Sequence, residues 1–304
     1  MTKLGFDQLL DTLSERWQAA PDKPEETPES TLRALWLCAA GTPTSAAAAI
    51  GAALPALDSA ALDRLEALLQ QRLAGVPLGH LTGRQRFMGL ELAVSPAALV
   101  PRIETELLGR HATALLATML DQSPAREALR AIDLCTGCGN LALALATANS
   151  RVQVDAADLS GEAIDLARHN ALALGLAPRI RFFVGDLFAA LPSPPDRADL
   201  IVCNPPYIPS ARVGAMRADI ADHEPHAAFD GGPLGISIIE RLMREAPAHL
   251  VPGGWLGFEV GAGQARGVRK RLERLPSYDA IEEVADANGT GRALFARTRP
   301  AAGA

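Results

Sequence analysis

The residues best suited to chemistry form a single run, Leu200-Ile201-Val202-Cys203-Asn204-Pro205-Pro206-Tyr207. Apolar residues give way at once to a side-chain amide, two prolines and an aromatic ring. The amide of Asn204 offers an acceptor oxygen and two donor hydrogens. Pro205 and Pro206 have carbonyls but no N–H, so nothing local competes for those acceptors. Such a turn can grip an –NH2 group by its hydrogens and leave the nitrogen lone pair facing outward. That arrangement suits transfer of a carbon unit to a planar, weakly basic nitrogen. A proline-stiffened loop without chemistry is the plainer alternative, since Asn-Pro turns are common.

The elements that must position this turn are legible around it. The apolar run predicts a fully buried strand, and the prolines stop it because they cannot continue a ladder. The amide then sits at the carboxyl end of a central strand, where open α/β sheets place their ligand crevice. Upstream, Ala131-Ile132-Asp133-Leu134 reads as a strand, Cys135-Thr136-Gly137-Cys138-Gly139-Asn140 as a tight turn, and residues 141–148 as the start of a helix. Glycines at a strand-to-helix corner let the backbone approach a ligand, and the helix N-terminus favours an electronegative group. The next strand, Val152–Asp158, ends in a carboxylate about 20 residues beyond the glycines, the place for hydrogen bonds from ribose hydroxyls. A strand over Ile180–Val184 leads to Gly185-Asp186-Leu187-Phe188, where Asp186 suits an adenine amino group.

This alternation of strands and helices implies a mostly parallel sheet covered on both faces. A nucleoside-type cofactor follows. Gly137-x-Gly139-x-x-Ala142 also fits the dinucleotide fingerprint, a weak motif by itself. No hydride-transfer constellation accompanies it, so S-adenosylmethionine is favoured over a nicotinamide dinucleotide.

Other features say less. Cys135 and Cys138 form a C-x-x-C pair, but two thiols supply half a tetrahedral site and no partner stands at ligand spacing, so no metal is expected. The six histidines are scattered. The net charge of −6 argues against nucleic-acid binding through bulk charge, and no apolar stretch reaches the length of a membrane span. Few, unpatterned cysteines point to a reduced compartment, the cytoplasm. Residues 1–80 read as a small helical bundle without a titratable cluster. Its helices are signalled by Phe6, Leu9, Leu10, Leu13 and Trp17, by Leu32, Leu35, Trp36 and Cys38, and by residues 62–73 with Asp58 as a cap. A Pro/Glu-rich break spans 21–28, and the Ala-rich residues 45–53 are expected to be helical. Phe87-Met88-Gly89-Leu90 signals a β-hairpin. Arg102, Glu104 and Glu106 fit either a surface linker or the rim of the site.

Several separated segments together resemble one family. Leu81-Thr82-Gly83, the Phe87 hairpin, Val100-Pro101-Arg102-x-Glu104-Thr105-Glu106, Asp133-Leu134-x-Thr136-Gly137-x-Gly139 and Asn204-Pro205-Pro206-Tyr207 occur in the order of the protein-glutamine N5-methyltransferases. Downstream, His223-Glu224-Pro225, Asp230-Gly231-Gly232, Phe258-Glu259-Val260-Gly261 and Asn288-Gly289-x-Gly291-Arg292 are similar too. Members of this family modify the Gly-Gly-Gln motif of peptide-chain release factors, and a close relative modifies a large-subunit ribosomal protein. Cysteines stand at 135 and 138 where the family usually has glycine or small polar residues.

The resemblance implies a Rossmann-like, S-adenosylmethionine-dependent methyltransferase domain over 105–304. A β-hairpin linker over 81–104 would precede it, after a helical N-terminal substrate-recognition domain over 1–80. It implies cofactor contacts from Cys135, Thr136, Gly137, Cys138, Gly139, Asp158, Asp186, Leu187 and Asn204. It places the acceptor glutamine against Asn204, Pro205, Pro206 and Tyr207, with Asn204, Pro205 and Tyr207 catalytic. The partner is a release factor or a ribosomal protein, and the protein is expected to act as a cytoplasmic monomer. Asn-Pro-Pro-Tyr also marks adenine N6-methyltransferases, which face the same exocyclic –NH2, but the acidic balance disfavours nucleic acid as substrate.

Overall fold

The computed structural model describes residues 5–17, 22–192, 196–214 and 224–301. The N-terminal helices are α1 (Phe6–Glu15), α2 (Pro28–Ala39), α3 (Ala46–Ala49), α4 (Ser59–Leu73) and α5 (Leu78–Thr82). Their apolar stripes close a core of their own that includes Leu13, Leu32, Leu35, Leu65 and Leu69. Helix α2 begins at Thr27, whose hydroxyl accepts from the Ser30 N–H at 3.1 Å, and α4 at Asp58, whose carboxylate accepts from the Ala61 N–H at 2.7 Å. Each cap satisfies an N–H that the first helical turn leaves unpaired. The Ala-rich residues form only the single turn of α3, because the chain turns extended at Ile50.

The bundle does hold a titratable cluster, contrary to expectation. Lys23 and Glu26 lie in the segment read as a Pro/Glu-rich break, yet they are only 6% and 5% exposed. Glu26 pairs with Lys23 at 3.8 Å and with Arg72 of α4 at 3.1 Å, while the adjacent Asp22 pairs with Arg102 at 3.2 Å. Arg72 and Arg102 stand far along the chain from residues 22–26, so local composition could not reveal the cluster.

The hairpin consists of β1 (Arg84–Phe87) and β2 (Leu90–Ala93). Its two-residue turn, Met88-Gly89, has positive φ at both positions (47° and 84°), the arrangement that matches strand twist. The Met88 N–H donates to Glu106 at 2.7 Å, so the turn is pinned to the helix α6 (Ile103–Gln122).

The main sheet runs β5-β4-β3-β6-β7-β9-β8, with β3 at Leu129–Leu134, β4 at Val152–Asp158, β5 at Ile180–Val184, β6 at Ala198–Cys203, β7 at Leu250–Glu259, β8 at Tyr278–Ala285 and β9 at Gly291–Thr298. The first five in that order are parallel, and β9 runs antiparallel to both its neighbours. Helices α6, α7 (Asn140–Ala148) and α8 (Gly161–Ala173) cover one face. After a short α9 (Ser210–Val213), α10 (Ser237–His249) and α11 (Ala265–Leu272) cover the other. Strand β6 shows why its sequence is apolar throughout: Leu200 and Val202 enter one core, Ile201 and Cys203 the other.

Strand β3 is followed by β4 on one side, whereas β6 lies on its other side. The order reverses there, and Leu134 is registered with Cys203. The residues that follow, Cys135 and Asn204, therefore leave the sheet next to each other, at the point where open α/β sheets bind ligands.

Candidate active site

A cavity of about 440 Å³ opens at this switch point. Cys135, Thr136, Gly137, Asp158, Asp186, Leu187, Asn204 and Pro206 line it, so most residues singled out in the sequence do meet. Cys138, Gly139, Pro205 and Tyr207 are not among its lining residues.

The first wall is the glycine turn. Cys135 adopts a left-handed φ of 55°, a strain that surrounding structure must hold in place. The holding group is Asp133, wholly buried at the end of β3. One of its oxygens accepts from the Thr136 hydroxyl at 2.5 Å and from the Ala142 N–H at 2.9 Å. Ala142 lies in the first turn of α7, whose N-cap Gly139 has no side chain to serve. Gly139 has a φ of 86°, and a Cβ there would lie 3.1 Å from that of Ala167. Burial raises the Asp133 carboxyl to about 7, against the lowering effect of both hydrogen bonds. Cys138 is buried, its thiol pushed up to about 12 by desolvation. Asn170 of α8 donates to the Cys138 carbonyl at 3.0 Å and exchanges two hydrogen bonds with the Ala93 backbone, at 2.8 and 2.9 Å. The hairpin is thereby tied to the cofactor turn.

The second wall follows β4. Asp158 accepts from the Gly137 N–H on one oxygen and the Ser160 N–H on the other, each at 2.9 Å. Burial raises its carboxyl, opposed by these backbone donors. Each oxygen keeps a lone pair for a ligand hydroxyl. Leu159, beside it, is 69% exposed and lines the cavity, an apolar face for a flat ring. Asp186 meets Arg241 of α10 at 3.0 Å. The neighbouring Leu187 has a φ of 47° and turns a buried side chain to the cavity. Paired acceptors at Asp158, an apolar slot and a carboxylate at the third strand end fit a nucleoside, which presents a diol, a ring and an exocyclic amine.

The third wall is the Asn204 turn. Asn204 donates from Nδ2 to the Thr105 hydroxyl at 3.1 Å, and Thr105 donates to Glu259 Oε2 at 2.7 Å. The Tyr207 hydroxyl donates to Glu259 Oε1 at 3.0 Å, which directs the ring into the protein. Burial raises the Glu259 carboxyl, while the two hydroxyls and the charge of Arg292 lower it. The Asp230-Gly231-Gly232 loop braces the same turn: the Ile208 N–H donates to Phe229 and the Gly231 N–H to Ile208, both at 2.9 Å. A Cβ on Gly231 would stand 2.7 Å from the Pro206 carbonyl oxygen. Only glycine permits that approach.

Arg102 lines the cavity and holds both oxygens of Glu224, at 2.9 and 2.8 Å. Of its two sequence readings, the rim of the site is the one found. His223 lies outside the described residues. Sequence reasoning passed over Asp133, Leu159, Thr105 and Glu259 as site groups. All but Leu159 stood inside quoted segments, but Thr105 and Glu259 are 154 residues apart and only folding joins them.

The pattern of the methyltransferase small domain matches residues 110–223. A release factor glutamine methyltransferase of Moorella thermoacetica is 36% identical over 243 residues, 80% of this chain and 82% of its own. That of Bradyrhizobium diazoefficiens is 35% identical over 285 residues, 94% of each chain. The chain belongs to the release factor glutamine methyltransferase family. Among solved structures, human methyltransferase 10 domain containing protein matches with a TM-score of 0.50 at 18% identity, covering 68% of this chain and 88% of that one, a likeness of fold alone. The segments that carry the family resemblance converge in the structure. The start of α6 supplies Thr105, the end of β6 Asn204 and the end of β7 Glu259, around one buried carboxylate. Among the described residues no helix is long and apolar enough to cross a membrane.

Proposed function

We propose that the protein methylates a glutamine side-chain amide nitrogen, N5, in the Gly-Gly-Gln motif of a peptide-chain release factor, with S-adenosylmethionine as methyl donor, in the cytoplasm. The observation that carries this reading is Asn204, held at the switch-point cavity by its –NH2 and lined up beside Asp158 and the glycine turn. Membership of the family supplies the acceptor class.

Asp158 would hold the ribose hydroxyls, Asp186 and Leu187 the adenine end, and the backbone from Cys135 to Gly139 the remainder of the cofactor. Bound there, S-adenosylmethionine supplies a methyl group activated by a sulfonium. The chain's own residues do the rest. With its –NH2 engaged by Thr105, Asn204 has Oδ1 left to accept one hydrogen of the incoming amide, and the Pro205 carbonyl accepts the other. These two bonds lie in the amide plane, so they fix that plane and leave the nitrogen lone pair perpendicular to it. The lone pair is delocalised, and a general base alone would not make it nucleophilic. Alignment supplies the acceleration, with a ceiling of ~7–11 kcal/mol for ideal positioning. Both acceptors strengthen their hold as positive charge develops on nitrogen, which is binding specific to the transition state, and the methylated nitrogen then gives up one of its two hydrogens as a proton to water. Tyr207 serves by fixing the turn through Glu259. The N-terminal bundle, joined to the rim of the site through Asp22 and Arg102, would hold the release factor.

Incubation with methyl-labelled S-adenosylmethionine and separately purified release factors and ribosomal proteins tests the reading. Label is expected in a release factor. Label confined to ribosomal proteins, or none, would overturn the assignment.

A further inference from the structure

The amide of Asn204 can serve as an acceptor only if its oxygen faces the cavity. An asparagine side chain is nearly symmetric in shape, so something must choose between its two faces. Thr105 Oγ1 stands 3.1 Å from Asn204 Nδ2 and 2.7 Å from Glu259 Oε2. Thr105 and Glu259 are each only 1% exposed, so no solvent exchange blurs their roles. Both oxygens of Glu259 accept, one from Thr105 and one from Tyr207, and a hydroxyl has one hydrogen to give. Thr105 gives it to Glu259, as Tyr207 does on the other oxygen. With that hydrogen used, Thr105 can only accept from Asn204.

We propose that Thr105, anchored by Glu259, is a positioning residue that sets the orientation of the Asn204 amide, turning Oδ1 toward the acceptor and the –NH2 away from it. The inference rests on the proposed methylation of an amide nitrogen. In the opposite orientation Asn204 would offer hydrogens to an acceptor –NH2 that needs to donate, and the site would repel the group it must hold. The chain of bonds also has a direction: Glu259 accepts from the Thr105 hydroxyl, which in turn accepts from the Asn204 –NH2, and each bond polarises the next so that Oδ1 becomes a better acceptor. The elements involved, α6, β6 and β7, are adjacent in the fold, so the orientation is built into the scaffold.

Thr105→Val removes the hydroxyl at nearly constant shape, and Thr105→Ser keeps it. The readouts are single-turnover methyl transfer to a release factor, in wild-type and Asn204→Ala backgrounds, and calorimetric affinity for S-adenosylmethionine. Thr105→Val is expected to slow transfer at least ~10-fold in the wild-type background and to leave cofactor affinity unchanged, with Thr105→Ser restoring the rate. In the Asn204→Ala background the same substitution should change the rate by less than about two-fold, because its effect runs through Asn204. Equal slowing in both backgrounds, or undiminished transfer by folded Thr105→Val, overturns the inference. Should Thr105→Val not fold, Thr105→Ala carries the same comparison. A wild-type protein that labels no release factor overturns the acceptor assignment and the inference with it, whereas wild-type labelling that Thr105→Val does not slow overturns the inference alone.

Discussion

Replacing Asp133 by asparagine should alter how stability depends on pH. Asp133 is wholly buried, and one oxygen accepts from both Thr136 and Ala142 while the other has no partner. Its carboxyl is raised to about 7, chiefly by burial, with the charge of Asp158 adding to the rise and the two hydrogen bonds opposing it. In the unfolded chain an aspartate titrates near ~3.9. Between those values the native protein keeps a proton that the unfolded chain has lost. The unfolded state then binds fewer protons, so stability falls as pH climbs through this window and levels off above it. A gap of about 3 units at 1.36 kcal/mol each amounts to about 4 kcal/mol at most. Asp133→Asn keeps an oxygen for Thr136 and Ala142, places its –NH2 at the unpartnered oxygen, and does not titrate. Melting temperatures of the two proteins, measured from pH 4 to 8, should diverge. The wild type should lose as much as about 6 °C relative to the variant on the way up. Parallel curves would show that Asp133 does not hold its proton through this window, since other raised carboxyls such as Asp158 and Glu259 are common to both proteins.

Two further substitutions separate binding from geometry. Asp158→Ala removes the charged acceptor for ribose hydroxyls, at about 1.5–3 kcal/mol per bond lost, so affinity for S-adenosylmethionine should fall at least ~10-fold in calorimetric titration. Unchanged affinity in a folded variant would remove Asp158 from the site. Gly231→Ala drives a Cβ against the Pro206 carbonyl and should cost ~1–3 kcal/mol of stability by overpacking while slowing methyl transfer more than it weakens cofactor binding. Unaltered melting and transfer would show that the loop does not brace the turn.

The catalytic fold was legible wherever the signal was local. Strands β4 and β5 lie where their apolar patterns and terminal acids placed them, and the Asp58 cap and the Met88-Gly89 turn were written in single residue types. The antiparallel β9 was not foreseen, because apolar alternation does not report strand direction. Residues 45–53 misled in a different way: alanine favours helix, but the chain turns extended at Ile50 and leaves a single turn packed into the bundle core. The site was half legible. Asn204, Asp158 and Gly137 announce themselves by type and position. Asp133 passed for one more strand residue, although its placement before a glycine turn with no N-cap side chain was a usable signal. Tyr207 stood in the right segment but faces Glu259, and Glu259 lies 52 residues further on. Lys23 and Glu26 are three residues apart, but packing is what buries them and brings Arg72 to the pair.

The role proposed for Asn204 is to orient an amide for methyl transfer without contributing much to cofactor binding. Single-turnover methyl transfer to a release factor by Asn204→Ala, with thermal melts and cofactor titration on the same preparation, tests it most directly. The expected result is a folded protein of near-normal cofactor affinity whose transfer is slower by ~100-fold or more, the scale of losing a positioned transition-state contact. A folded, cofactor-binding Asn204→Ala protein that transfers methyl groups at the undiminished rate would contradict it.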